Sequence, residues 1–341
     1  MLEARKKRNK PKTNTNNLFE NIKSKYILKI VFDNLIKKKL LSIIKYNCNL
    51  KNKFDINIED YKNYLSIEIE IIPSENKFGK FINIENEEDE LYYHIYFNNN
   101  KEEIKKEYIA DNEIINKIKI IITEEINSFY RLFYNCRCIE YISFKRFYRN
   151  NINNMSNMFF GCSSLKQINF YQFNSSNVTN MNCMFSGCSS LKEINLSNFD
   201  TNKVIDMSYL FRFCSSLKKI DLSNFKTNNV KYMEFMFYKC SSLKDIYISN
   251  LKTNNVISMN SMFSKCSSLE ELDISNFNTD NVTDMYCMFS GCSSLKKLEI
   301  CNFNDINSIN MIKMFDGCSD ELKDDIKEIY PNIKDEAFEY E

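Results

Sequence analysis

The chain has 341 residues, enough for about two domains at ~150 residues each, and its 43% apolar content and mean hydropathy of −0.43 fit a soluble globular protein. Its 46 basic and 45 acidic residues nearly cancel, yet residues 1–53 hold 15 Lys/Arg against 3 Asp/Glu and the remainder 31 against 42, so a basic segment precedes an acidic body. One histidine (His94), no Trp and 5 Gly exclude sites that need two imidazoles and disfavour phosphate-cradling glycine loops, so neither catalysis nor a cofactor or metal is expected.

Residues 1–17, with Arg5-Lys6-Lys7-Arg8-Asn9-Lys10-Pro11-Lys12, are expected as a disordered basic tail, either solubilising or a nuclear address. Aromatic residues do not interleave with these charges, so no specific nucleic-acid reading is expected. No apolar signal follows the charged start, and no apolar run approaches the ~18 residues of a membrane span. Secretion is therefore not expected, and a cytoplasmic location is, with the nucleus left open by the tail. Residues 18–54 read as helical. Residues 55–110 read as a mixed α+β region: Leu65, Ile67, Ile69 and Ile71 alternate with polar residues, as do Leu91, Tyr93, Ile95 and Phe97, which predicts two strands. His94 falls on the polar side of the second and reads as an ordinary strand residue.

From residue 111 to 318 the chain repeats. Cys136, Cys162, Cys188, Cys214, Cys240, Cys266, Cys292 and Cys318 stand 26 residues apart, and six of them open the tetrapeptide CSSL. Each unit has two halves. Leu191, Ile194 and Leu196 follow L-x-x-L-x-L, which predicts a short strand. Val178, Met181, Met184-Phe185 and Cys188 follow at spacings of three to four, which predicts a short helix. Asn151, Asn177, Asn229, Asn255 and Asn281 read as its N-caps, and Gly161, Gly187, Gly291 and Gly317 as left-handed C-caps. The expected fold is an α/β leucine-rich-repeat solenoid of about eight units, with parallel strands on the concave side and short helices on the convex side. Ile139/Ile142/Phe144 and Ile115/Ile118/Ile120 read as atypical first units. Residues 319–341 read as a C-terminal cap, with Leu322, Ile326 and Ile329 facing inward from a helix that ends before Pro331. The cysteine column leaves a disulfide ladder sterically open. A chain without an export signal in a reducing compartment instead predicts free thiols packed as small hydrophobes. The methionines beside Phe read as core, and the CSSL serines as turn hydroxyls bonded to backbone.

The phrases GCSSLKEINLSNFDT and NVTDMYCMFSGCSSL resemble the BspA-like leucine-rich repeats, in the variant found in mycoplasma-type lipoproteins and protist proteins, over about residues 130–318. That resemblance implies a non-catalytic solenoid for protein binding or adhesion, often at a cell surface. Residues 27–54, with Ile27-Leu28, Val31-Phe32, Leu35, Leu40-Leu41 and Ile43-Ile44, resemble an F-box. This second resemblance implies docking to a Skp1-type adaptor and a ubiquitin-ligase substrate adaptor. An ordinary helical hairpin fits the same residues.

In L-x-x-L-x-L the third and fifth positions flank the inward residue and point outward. The first units place Tyr141/Ser143 and Gln167/Asn169 there, and the candidate partner-binding face is Glu193, Asn195, Lys219, Asp221, Asp245, Tyr247, Glu271, Asp273, Lys297 and Glu299. Its acidic bias favours a basic or mixed protein surface as ligand. The leading expectation is an intracellular protein-interaction scaffold; the F-box-like adaptor and the surface adhesin are the alternatives.

Overall fold

The computed structural model describes residues 66–123, 126–147, 151–171, 173–300 and 309–338. The basic tail expected over 1–17, the helical or F-box-like segment over 18–54 and the opening of the 55–110 region lie outside the described residues. The chain divides into two compact units, residues 1–65 and 66–341, and the second carries everything below.

It begins with strands whose apolar residues alternate: β1 (Ile67–Pro73), β2 (Gly79–Lys80), β3 (Tyr93–Phe97), β4 (Tyr108–Ile109), β5 (Ile118–Ile122) and β6 (Ile139–Arg146). The two alternating runs of the sequence lie in β1 and β3, although Leu91 sits exposed in the 3-10 turn Glu87–Tyr92 ahead of the second strand. β5 lies between β3 and β1, antiparallel to both, with Ile120 opposite Ile95 and Ile69. Ile67, Ile69, Ile71, Ile118, Ile120 and Ile122 are all fully buried on one face. On the polar positions Glu68 pairs with Lys119 (3.3 Å) and Arg146 (3.0 Å), and Glu70 with Lys117 and Lys145. Burial pushes the Glu70 carboxyl up, but the hydrogen bonds and charges of the two lysines outweigh it and hold it below its ordinary value.

This sheet corrects two expectations. Ile118 and Ile120 belong to an antiparallel strand, not to a repeat, because their partners are β1 and β3 rather than a residue 26 positions on. The boundary expected at residue 110 falls between β4 and β5, inside one compact unit.

β6 joins the two parts: one edge is antiparallel to β1 and the other parallel to β7 (Gln167–Asn169), giving the order β3-β5-β1-β6-β7. Beyond it come two parallel pairs, β8 (Lys219–Asp221) with β9 (Asp245–Tyr247) and β10 (Glu271–Ile274) with β11 (Lys297–Ile300). A second column of one-residue parallel bridges climbs the repeats without a break, from Ser128↔Asn154 through Asn180, Asp206, Tyr232, Ser258 and Asp284 to Asn310.

The segments expected as convex helices are runs of tight turns. In the repeat around Met181, alternate amides close turns onto their own segment: Met184 to Met181 O (3.1 Å), Ser186 to Cys183 O (3.1 Å), Cys188 to Phe185 O (3.1 Å). The amides between them donate to the next repeat: Met181 to Asp206 O (3.1 Å), Cys183 to Ser208 O (2.9 Å), Phe185 to Leu210 O (2.9 Å), Gly187 to Arg212 O (2.7 Å). A helix would direct every N–H along its own axis and leave none for the neighbour. The turns return a side chain to the interior at the same three-to-four spacing, so the periodicity fits both conformations. What turns require, and helices forbid, is a left-handed residue twice per repeat, as at Cys183 (φ 56°) and Gly187 (φ 77°).

The expected N-cap asparagines accordingly cap nothing helical. The Nδ2 of Asn229, Asn255 and Asn281 donates to Asn202 O, Asn228 O and Asn254 O, each at 2.6 Å in the preceding repeat. Asn151 reaches Ile126 O at the same distance. Buried threonines tie in the other direction: Thr227 Oγ1 donates to Lys252 O (2.8 Å) and accepts from the Lys252 amide (2.7 Å), and Thr201 does the same with Lys226. Among the CSSL serines, Ser190 Oγ donates to Ser163 O at 2.6 Å.

The interior is columnar. Phe133, Phe159, Phe185, Phe211, Phe237, Phe263, Phe289 and Phe315 stack with centroids 5.4–5.8 Å apart and nearly parallel planes. Beside them the thiols of Cys162 to Cys318 each donate to the carbonyl of the Phe 29 residues earlier, for instance Cys214 Sγ to Phe185 O at 3.1 Å. All eleven cysteines of the described residues are free, and burial pushes the Cys214 and Cys266 thiols up to about 12.

Helix α1 (Asp320–Ile329) closes the stack, its N-cap Ser319 Oγ accepting the Leu322 amide at 3.3 Å. Leu322 and Ile326 are buried, whereas Ile329, expected to face inward, is exposed near the helix end. After Pro331 the chain turns back, and Glu336 O and Ala337 O accept the Lys313 and Phe315 amides while Phe338 stacks on Phe315 at 5.6 Å. Among the described residues no helix is long and apolar enough to cross a membrane.

Phe237→Ala removes a fully buried ring stacked on both sides and should cost about 3–5 kcal/mol in denaturant unfolding; a loss under 1 kcal/mol would mean that the column is not the core. In native-state alkylation followed by mass spectrometry, half-buried Cys183 and Cys287 should be modified well before Cys188, Cys214, Cys240 and Cys266. Equal rates would contradict a buried thiol column.

Candidate functional site

All ten residues of the candidate face are exposed, at intervals set by the repeat. Eight of them stand on parallel strands in register: Lys219 beside Asp245, Asp221 beside Tyr247, Glu271 beside Lys297, Asp273 beside Glu299. Their inward neighbours Ile220, Leu272 and Leu298 are buried and fix the backbone that presents them. The first unit behaves differently: Ser143 is buried and Tyr141 half-buried, because β6 is flanked on both edges, by β1 and by β7.

The row is interrupted where Glu193 and Asn195 stand. Residues 193–195 form no strand, and a single bond, Lys218 N to Lys192 O at 3.0 Å, links this run to β8. A polar cleft of about 510 Å³ opens there, lined by Gln167, Glu193, Asn195, Lys219, Asp221 and Asn224 among others. Gln167 is an outward position of an earlier unit, outside the ten candidates, and Asn224 was not singled out. Asn224 was legible as the Asn of an S-N-F that recurs at Asn198 and Asn276, with S-N-L at Asn250. Its Nδ2 donates to Leu196 O at 3.1 Å and holds the cleft wall to the preceding repeat.

The two positions of each pair do different work. At the fifth position, Asn195 Oδ1, Asp221 Oδ1 and Asp273 Oδ1 accept the amide two residues on, from Ser197 (3.0 Å), Ser223 (2.9 Å) and Ser275 (2.9 Å). These are Asx turns, which at Asp221 and Asp273 stand at the end of a strand. The serine bonds also hold the Asp221 and Asp273 carboxyls below their ordinary value. Third-position residues Glu193, Asp245 and Glu271 carry no such duty. Tyr247 breaks the pattern at a fifth position: nearly half exposed, its ring carries the Lys219 ammonium at 5.2 Å. Lys297 pairs with Glu299 of its own strand at 2.8 Å, and that hydrogen bond raises its pKa.

Six carboxylates and two lysines thus share the row, and both lysines already have partners, an aromatic ring and a carboxylate. The surface is acidic, with one aromatic side chain near its centre. Among the described residues no three of the His, Cys, Asp and Glu side chains converge as metal ligands would.

Asp273→Ala should lower the melting temperature by breaking the Asx turn, and Asp273→Asn, which supplies the same acceptor as Asn195, should restore it. Glu271→Ala should leave it unchanged. Equal melting temperatures for all three would show that the turn bond adds nothing.

No curated protein and no solved structure matches the chain. One family model matches it twice, over residues 127–245 and 211–329, which together span the Asn154–Asn310 bridge column and the strand row and exceed half of the sequence. The chain therefore belongs to the family described as Mycoplasma protein of unknown function, DUF285.

Proposed function

We propose that this protein is a non-catalytic scaffold that binds another protein through the strand row, as a leucine-rich-repeat solenoid of the BspA-like kind. The observation that carries this reading is the fixed grid of exposed side chains at Asp245, Tyr247, Glu271 and Lys297, each beside a core-anchored neighbour. Parallel strands set such side chains ~5 Å apart. Groups already held in place lose little freedom on association, so their contacts translate into affinity. Tyr247 is the anchor residue, since aromatic side chains dominate binding energy where their surroundings exclude water. The ligand is a protein surface of basic or mixed charge, complementary to the surplus of carboxylates. A cytoplasmic location agrees with the free thiols of the column.

Proximity labelling in the source cell names the neighbours, and pull-down with the full chain tests the face. Combining Asp245→Ala, Tyr247→Ala, Glu271→Ala and Asp273→Asn should abolish capture of the partner while the melting temperature stays within that of the parent. Capture at undiminished affinity would overturn the assignment.

A further inference from the structure

The run of turns carries a second surface that the strand row does not explain. In the repeats on either side, its outer positions hold mostly small side chains, Cys183, Ser186 and Gly187 in one and Ser261 and Ser264 beside Lys265 in the other. In the two repeats between them, the same positions hold Tyr209, Arg212, Phe213, Phe235, Tyr238 and Lys239. Four of these occupy the left-handed positions: Tyr209 (φ 61°), Phe213 (61°), Phe235 (54°) and Lys239 (59°). Gly187 fills the position equivalent to Phe213 without strain, whereas a side chain there costs about 1–2 kcal/mol. The turns impose that conformation in every repeat, so what sets these two apart is the size and chemistry of the side chains placed there.

The six side chains form one cluster. Tyr209 and Phe235 stack at 5.0 Å, and Tyr238 meets Phe235 and Phe213 edge-on at 5.4 and 5.5 Å. The Arg212 guanidinium lies 4.4 Å from the Phe213 ring, 5.5 Å from Tyr209 and 5.7 Å from Tyr238. Lys239 Nζ lies 5.1 Å from Phe213 and 5.5 Å from Tyr238. Arg212 Nε is buried without a hydrogen-bond acceptor. Neither cation forms an ion pair with a carboxylate of the described residues, in an acidic body where 42 Asp/Glu face 31 Lys/Arg beyond residue 53. Glu234 and Asp206 act on Tyr209 at the edge of the cluster, yet neither pairs directly with the two cations, which the rings hold in place for an anion, with the rings themselves placed for an apolar group beside it.

We infer that this cluster docks a peptide segment of a partner protein in which a carboxylate neighbours an aromatic side chain. Arg212 presents a planar fork that matches a carboxylate, and its ring-stacked orientation means little freedom is lost on binding. The aromatic residue of the segment packs on Phe235 and Tyr238. Nucleic acid is disfavoured, because a polyanion gains from many neutralised phosphates and the surrounding body carries surplus negative charge.

Fluorescence anisotropy with the full chain tests this with three labelled probes: a dodecapeptide of alternating Glu and Tyr, an all-Glu dodecapeptide and oligo-dT. The Glu/Tyr peptide should bind saturably, with the all-Glu peptide about tenfold weaker or more. Arg212→Gln and Lys239→Gln should each weaken the Glu/Tyr peptide by about tenfold, and Glu271→Gln on the strand row should not. Phe213→Gly should weaken it equally without lowering the melting temperature, an outcome that a purely structural ring would not give. Unchanged binding in Arg212→Gln, a loss in Glu271→Gln, tighter binding of oligo-dT, or no saturable binding of the peptide would each overturn the inference.

Discussion

Everything in the repeat region rests on where its backbone amides point. Half of those in each run of turns are satisfied within their own repeat and half by carbonyls of the next, as with Phe185 N to Leu210 O at 2.9 Å. A buried amide must have a partner, so no repeat satisfies its own backbone, and each is completed only by the one that follows. The side chains then fall into register: stacked phenylalanines, thiols on phenylalanine carbonyls, threonines clasping a backbone 25 residues on. Columns of identical residues are the result of lateral hydrogen bonding at a constant offset, and cohesion accumulates along the stack.

That dependence explains which features could be seen in advance. The period, the inward residues of each half and the burial of the cysteine column follow from spacing and composition, because any stack of equal units places equivalent residues above one another. The free state of the thiols does not, since stacked cysteines could equally have bridged. Conformation between the inward residues does not follow. Met181, Met184, Phe185 and Cys188 return to the interior at intervals that a helix and a chain of turns share, and the deciding evidence, a left-handed backbone at Cys183 and Tyr209, leaves no mark when the residue is not Gly or Asn. The asparagines misled for a related reason. Their amide groups suit a helix start and a lateral tie equally, and only the position of the preceding repeat, as at Asn229 and Asn202 O, distinguishes the two.

The exposed strand positions were legible as a row, since alternation alone places them outward. Their division of labour was not. An Asp at the end of a short strand looks like a free charge in the sequence, yet Asp273 spends one oxygen on Ser275 and keeps the other for solvent. Architecture and recognition therefore share side chains at Asn195, Asp221 and Asp273, where a replacement must still accept an amide two positions on to keep the turn. Asn195 and Asp221 make the same bond, one neutral and one negative, so the electrostatics of the face can change while its turns remain intact.

The closing segment has a consequence for chain length. Glu336, Ala337 and Phe338 offer the last repeat the carbonyls and the ring that another repeat would offer, and β1 covers the outer edge of β6 at the opposite end. Both ends are thus sealed by elements that read only the repeat they touch. A gene that gains or loses one whole unit keeps every column in phase and both seals in place, whereas inserting one codon within a unit displaces the phenylalanine, cysteine, threonine and asparagine columns together.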